Sequence, residues 1–264
     1  MERLYGRHAV HECLRAQRRR LLRLMIADGV QDAPILREIQ KLAKELRVPV
    51  ASAKREFFDQ VSPHAQGVLL EGEEYPYAEL EDLLITMPRG LGSGAAAEAP
   101  LILILDSLQD PQNFGNLIRT AEAVGVSGIV FHERRSASVT PAVVNASAGA
   151  TEHLRIAKVV NLARTVDELK KQDVWVAALQ DDERAQTIYS ANLKGALALI
   201  VGSEGEGVSR LLREKADYVI KLPMLGQIES LNASVAGAVA LYEILRQRSD
   251  ATPSLKNANQ PTTG

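Results

Sequence analysis

The sequence predicts an α/β protein: a small α/β unit followed by a larger one built on a mostly parallel sheet. Three observations carry this. LILILD (Leu101–Asp106) and ALALIVG (Ala196–Gly202) are unbroken apolar runs, as strands buried on both faces of a parallel sheet require. Around them, strand-like runs alternate with helical patterns. MPRGLGSGAAAEAP (Met87–Pro100) has no apolar period and is rich in Gly, Ala and Pro, so it reads as a linker.

In the smaller unit, Val10 and Leu14 lie four apart within a helical pattern over Arg7–Ala16. LLRLMIA (Leu21–Ala27) is a strand closed by the Asp28-Gly29 turn signal. Ile35, Ile39, Leu42 and Leu46 line one face of an amphipathic helix. Val48–Val50 is a short strand, Phe57–Val61 a brief helix and GVLLEG (Gly67–Gly72) another strand. The expected division is 1–75 for this unit, 76–99 for a flexible linker, 100–248 for the larger unit and 249–264 for a disordered polar tail.

The larger unit continues from Leu101–Asp106 into a helix with an apolar stripe at Leu117, Ala121 and Val124, stopped by Gly125. Gly128–Phe131 is a strand, Pro141–Ala150 a helix with a small-residue face, and Leu162–Lys171 a helix. Val174–Leu179 and Ala196–Gly202 are strands, Val208–Lys215 a short helix and Tyr218–Leu222 the last strand. After Asn232 comes a helix of small residues that can approach another backbone closely.

Composition narrows the function. The single cysteine, Cys13, excludes an intramolecular disulfide, fits a reducing compartment and reads as a buried thiol. There is no apolar run of about 18 residues, hence no expected membrane span. MERLYGRHAV lacks the layout of a signal peptide, so localisation reads as cytoplasmic. The five histidines form no HExxH pattern, and one cysteine makes no zinc constellation, so no metal is expected. No GxSxG elbow serves a serine hydrolase, and the missing GxGxxG argues against a dinucleotide oxidoreductase. A net charge of −2 gives no global nucleic-acid signature. Arg15, Arg18, Arg19, Arg20 and Arg23 nevertheless form a local basic run, which fits either a solvated helix end or an RNA contact.

Three stretches could carry chemistry. DPQNFGN (Asp110–Asn116) lies between a buried strand and a helix; Asn113 can cap free backbone groups and Arg119 brings a fork of donors. An Asn cap with a surface Arg is the plain alternative. IVGSEGEGVS (Ile200–Ser209) is a glycine turn after a strand, with Gly202, Gly205 and Gly207. Its Glu204 and Glu206 disfavour phosphates and suit a nucleoside or a cationic group, although an ordinary βα turn would look alike. KLPMLGQIESLN (Lys221–Asn232) offers Leu222, Met224 and Leu231 to a flat ring, and the polar Ser230 and Asn232.

In this order, NFGNLIRTA, IVGSEGEGVS and KLPMLGQIESLNASVAGAVALYE resemble the SpoU (TrmH-type) branch of the SPOUT RNA methyltransferases, over Leu101–Arg248. The N-terminal stretch beginning LYGRHAVHECLRA resembles the substrate-binding unit, related to ribosomal proteins, of enzymes that methylate a 2′-hydroxyl of large-subunit ribosomal RNA. The resemblance implies a deep trefoil knot, against the general rarity of knots. It implies an S-adenosylmethionine site at Gly202, Leu222, Met224 and Leu231, an RNA substrate, and a homodimer whose partner completes each site. It also implies catalytic roles for Asn113, Arg119, Glu206, Ser230 and Asn232. A guanidinium keeps its proton at ordinary pH. Arg119 is therefore read as binding the target phosphate and hydroxyl and stabilising oxyanion charge, with Glu206 fixing it or the partner's loop. The expected activity is 2′-O-methylation of RNA, with a large-subunit ribosomal guanosine as target. The alternatives are a tRNA methyltransferase and a knotted RNA-binding protein without catalysis.

Overall fold

The computed structural model describes residues 1–84, 99–134, 136–228 and 230–251. The first unit contains β1 (Glu2–Tyr5), α1 (Arg7–Ala16), β2 (Leu21–Ala27), α2 (Pro34–Glu45), β3 (Val50–Ala53), α3 (Arg55–Val61) and β4 (Val68–Gly72). Its sheet runs β1-β4-β2-β3, antiparallel except for the β2–β3 pair. β1 is absent from the sequence expectations, and β3 begins at Val50 rather than at Val48, because Pro49 has no N–H to give a ladder. The buried face of α2 is Leu36, Ile39 and Ala43; of the expected stripe only Ile39 is buried, with Ile35, Leu42 and Leu46 half-buried against the same core.

The second unit contains β5 (Leu101–Leu105), α4 (Pro111–Ala123), β6 (Gly128–His132), α5 (Pro141–Ala146), β7 (Ile156–Val159), α6 (Leu162–Lys170), β8 (Trp175–Leu179), β9 (Gln186–Thr187), β10 (Leu197–Val201), α7 (Arg210–Lys215), β11 (Tyr218–Lys221) and α8 (Ala233–Ala251). Seven strands in the order β7-β6-β5-β10-β8-β11-β9 pair in parallel throughout. The two apolar runs become the adjacent strands β5 and β10, every residue of which is buried. On one side of this pair β6 and β7 follow β5 outward in sequence, and on the other lie β8, β11 and β9; a crevice opens beyond the C-terminal ends of β8, β10 and β11.

Two expectations change at the boundaries. The span expected as a loose linker is pinned to the second unit as far as it is described. The Val139 N–H donates to the Tyr77 hydroxyl (3.0 Å), the Ala78 N–H to the Ile156 carbonyl (2.9 Å), and Leu83 is fully buried among Ile102, Val130 and Ala157. The apolar residues Tyr75, Tyr77, Leu80 and Leu83 give this segment something to bury; the rest of the expected linker, 85–98, lies outside the described residues. At the other end, α8 continues through Ala251 where a tail was expected from 249, and 252–264 lies outside the described residues.

After β11 the chain turns back through a loop, and α8 lies against α4 and the end of β10. A Cβ on Gly237 would sit 2.8 Å from Leu117 and 3.2 Å from Val201, so this helix does make the close approach its small residues suggest. The resemblance makes this helix, after Asn232, the threaded element of the knot.

Candidate active site

The crevice beyond β8, β10 and β11 holds a cleft of about 510 Å³, within the range of ligand pockets. Its walls come from three strand ends and the returning loop. Leu179 and Val201 supply apolar surface from β8 and β10, and Leu222, Met224 and Leu231 supply it from the loop. Gly202 is part of the floor. A Cβ there would lie 2.0 Å from the Gly207 carbonyl carbon, so only glycine lets the turn fold back on the strand. That turn is closed by reciprocal backbone bonds between Ser203 and Gly207 (3.2 and 3.0 Å) and held from β8 by Gln180, whose Oε1 accepts the Val208 N–H (2.8 Å). Among the described residues from Leu222 to Leu231, none makes a backbone–backbone hydrogen bond, which leaves their polar groups for a ligand.

A polar cluster closes one end. Asn113, buried at the start of α4, donates from Nδ2 to Glu204 Oε1 (2.7 Å). Its Oδ1 accepts from Asn232 Nδ2 (3.0 Å) and from the Ser234 hydroxyl (3.1 Å). Asn232 also donates to Glu204, and its Oδ1 caps α8 by accepting the N–H groups of Ser234 (3.0 Å) and Val235 (3.3 Å). The cap of α4 is Asp110, which accepts from Gln112 N (3.3 Å) and Asn113 N (3.0 Å). Asn113, read from the sequence as a cap, is thereby free to face the cluster.

The predicted site residues divide. Gly202, Leu222, Met224, Leu231, Ser230 and Asn232 all line the cleft, and Asn113 is bonded to its wall. Glu206 does not line it, is exposed and has no hydrogen bond or ion pair among the described residues. Its assigned role of fixing Arg119 is not realised within this chain. Glu204 is the carboxylate engaged, because closure of the turn at Ser203 and Gly207 sets Glu204 beside α4 and leaves Glu206 at the tip. Arg119 is exposed on α4, about 9 Å along the axis from Asn113, with no ion pair among the described residues and no place in the cleft wall. Sequence reasoning named Glu204 only as an acidic member of the turn and gave the role to Glu206, and it passed over Ser234, Gln180 and Asp181. Gln180 and Asp181 follow β8 directly, and a position just past a central parallel strand was the available signal.

The basic run is not one surface. Arg15 pairs with Glu12 (3.2 Å), Arg20 with Glu73 (3.7 Å) and Arg23 with Glu71 (2.8 Å), all with exposed guanidinium groups. Arg18 lies over the Tyr75 ring, 5.2 Å from its centroid. The Arg19 side chain is 1% exposed and its fork grips Glu152, which corrects its assignment to an RNA face. Burial works against the Arg19 charge, yet the adjacent Glu152 carboxylate outweighs it and holds the guanidinium above its usual pKa. Among the described residues no group of three or more His, Cys, Asp or Glu is arranged to hold a metal ion. No helix among them is long and apolar enough to cross a membrane.

The cleft suits a molecule with a flat apolar part and a cationic part. Leucine and methionine side chains and free backbone groups meet the first requirement, and the Glu204 carboxylate meets the second; Asp181, also in the wall, is paired with Lys221 (2.9 Å).

Residues 100–242 match the SpoU rRNA Methylase family, and residues 3–78 match the family described as RNA 2′-O ribose methyltransferase substrate binding. YacO of Bacillus subtilis (strain 168), named for the TrmH family of tRNA/rRNA methyltransferases, is 41% identical over 246 residues, covering 92% of this chain and 94% of its own. The SpoU methyltransferase AviRb from Streptomyces viridochromogenes, crystallised with the cofactor AdoMet, shares the fold. Its TM-score is 0.75 at 22% identity, over 94% of this chain and 90% of that one. A crystal structure titled as an RNA 2′-O ribose methyltransferase gives a TM-score of 0.72 at 25% identity, over 93% and 88% of the two chains.

Proposed function

The chain belongs to the SpoU rRNA Methylase family, and on that premise we propose that it transfers a methyl group from S-adenosylmethionine to a ribose 2′-hydroxyl of RNA in the cytoplasm, with a guanosine of large-subunit ribosomal RNA as the target. The observation that carries the reading is convergence. Residues from three separate stretches, Asn113, Glu204 and Asn232, lock together beside a cleft lined by Gly202, Leu222 and Leu231.

Gly202, Leu222, Met224 and Leu231 would hold the methyl donor, and Glu204 favours its positive charge. When bound, S-adenosylmethionine supplies an electrophilic methyl group on a sulfonium. The chain's own task is to present the ribose oxygen at attack distance and to manage its proton. Ser230 lines the cleft and offers a hydroxyl to the incoming ribose. Asn113 and Asn232 hold Glu204 and the start of α8 in one geometry, so this wall costs no reorganisation during reaction. Arg119 is assigned to the target phosphate and the developing oxyanion.

A second copy of the chain is part of the proposal. Val235, Val239 and Tyr242 share a face of α8 and are 48%, 41% and 55% exposed, and the nearby loop residues Leu225 and Ile228 are 99% and 75% exposed. Such an apolar surface favours a partner. Arg119, idle in its own chain, would then serve the partner's cleft.

The test is to map 2′-O-methyl groups in ribosomal RNA and tRNA from cells with and without the protein. One ribosomal guanosine should lose its methyl group in the deletion. A change confined to tRNA would redirect the target, and no change in either RNA would overturn the reading.

A further inference from the structure

We propose that the buried Arg19–Glu152 pair is a positioning clamp. It fixes the first unit relative to α4, so that one nucleotide of a bound RNA reaches the cleft. The inference rests on the activity proposed above and adds residues that lie outside the cleft.

The geometry is that of a joint. Arg19, just after α1, gives Nη2 and Nε to the two Glu152 oxygens at 2.7 and 3.2 Å, across 133 positions of sequence. Its Nη1 serves Glu2 at 2.6 Å and the Glu73 carbonyl at 3.3 Å. The two paired side chains are 1% and 0% exposed. Tyr75 closes the joint from the side: its ring lies under the Arg19 guanidinium, and its hydroxyl is shared between the carbonyls of Thr151 (3.0 Å) and Leu154 (2.8 Å). At the rim, Asn145 Nδ2 donates to the Tyr5 carbonyl (3.1 Å) and the His153 ring meets Glu12 (2.7 Å).

The second unit's side of this joint is α5 and the 3-10 turn Ala150–His153, and both also back onto α4. Val143 and Val144 of α5 share one continuous core with Val10, Cys13 and Leu14 of α1 and with Phe114, Leu117 and Ile118 of α4. The first unit and the helix that carries Asn113 therefore rest on a common support. A buried ion pair is a poor source of stability, since well-packed apolar groups do as well or better. What a bidentate fork supplies is a defined angle. A fixed angle between an RNA-holding unit and a cleft raises the local concentration of one nucleotide, whereas a loose tether would spread it over many.

The test uses Arg19→Lys, which keeps the charge and loses the fork, and Tyr75→Phe, a milder change that keeps the ring. Spin labels at the exposed positions 41 and 164 report the distance between units. The parent should give one narrow distance and both variants a broadened one. On an unmodified large-subunit ribosomal RNA transcript, RNA affinity and methyl-donor affinity should stay within about twofold. Turnover should fall about tenfold, and methyl groups should appear at neighbouring nucleotides. A narrow distance in both variants, or single-site methylation at the parental rate, would overturn the clamp. So would a parallel loss of methyl-donor affinity, which marks damage to the cleft instead. If the parent itself methylates nothing, the activity assignment fails, and the distance measurement still decides whether the joint is rigid.

Discussion

The seam between the two units and the lip of the cleft both contain charged and apolar side chains, and they dispose of them in opposite ways. At the seam, Arg19 and Glu152 are wholly buried, with their donors and acceptors matched and apolar residues packed around them. At the lip, Leu225 and Ile228 stand in solvent, and the described loop residues pair no backbone group with another. A single chain completes the first region and leaves the second open. On the proposed account the open surface is the one that receives other molecules: the methyl donor, the RNA and a second copy.

Breaking the seam should have the largest effect on stability. Glu152→Ala leaves the Arg19 charge buried without its main partner and should cost about 3–5 kcal/mol in urea unfolding. Parental stability in that variant would mean that water already reaches the pair. Breaking the cleft should act on rate. Asn232→Ala should lower methyl transfer about 100- to 1,000-fold, as loss of a preorganised polar group does. The same change should cost only about 1 kcal/mol of stability through the lost cap of α8. A comparable loss in both measurements would erase the distinction between the regions.

The claim that the lip is completed by a partner can be sharpened by mixing. Arg119→Ala and Asn232→Ala chains should each be inactive. Refolded together in equal amounts they should recover about a quarter of parental activity, because half the dimers are mixed and each has one intact cleft. No recovery would return Arg119 to the cleft of its own chain.

The smallest effect belongs to the rim of the seam. Burial pushes the Glu12 carboxyl up, but the hydrogen bonds from His11 and His153 outweigh this and hold it below its ordinary value of 4.5. A depressed carboxyl contributes stability above its ordinary pKa and loses it as pH falls through the folded value. Glu12→Gln should therefore be less stable than the parent at pH 7 by no more than about 1 kcal/mol, with the gap closing in acid. A gap that widens as pH falls would reverse the sign of this contribution.

Much of this was legible in the sequence where a pattern is local. The runs that became β5 and β10 announce buried parallel strands, and the glycine turn and the Leu222–Asn232 loop announce a site. What was missed depends on distant partners. β1, β7 and β9 span only four, four and two residues, and pairing alone makes them strands. Arg19 sits in a run that looks solvated, because nothing nearby in sequence signals Glu152. Glu204 and Glu206 occupy equivalent-looking places in one turn, and the close packing at Gly202 decides which of them meets Asn113.

The most direct measurement is single-turnover transfer from methyl-labelled S-adenosylmethionine to ribosomal RNA, followed by digestion to nucleosides. The label should appear on one 2′-O-methylated nucleoside with the parent and be absent with Asn232→Ala. Label on a base, or undiminished transfer by Asn232→Ala, would contradict the assignment of ribose methylation to this cleft.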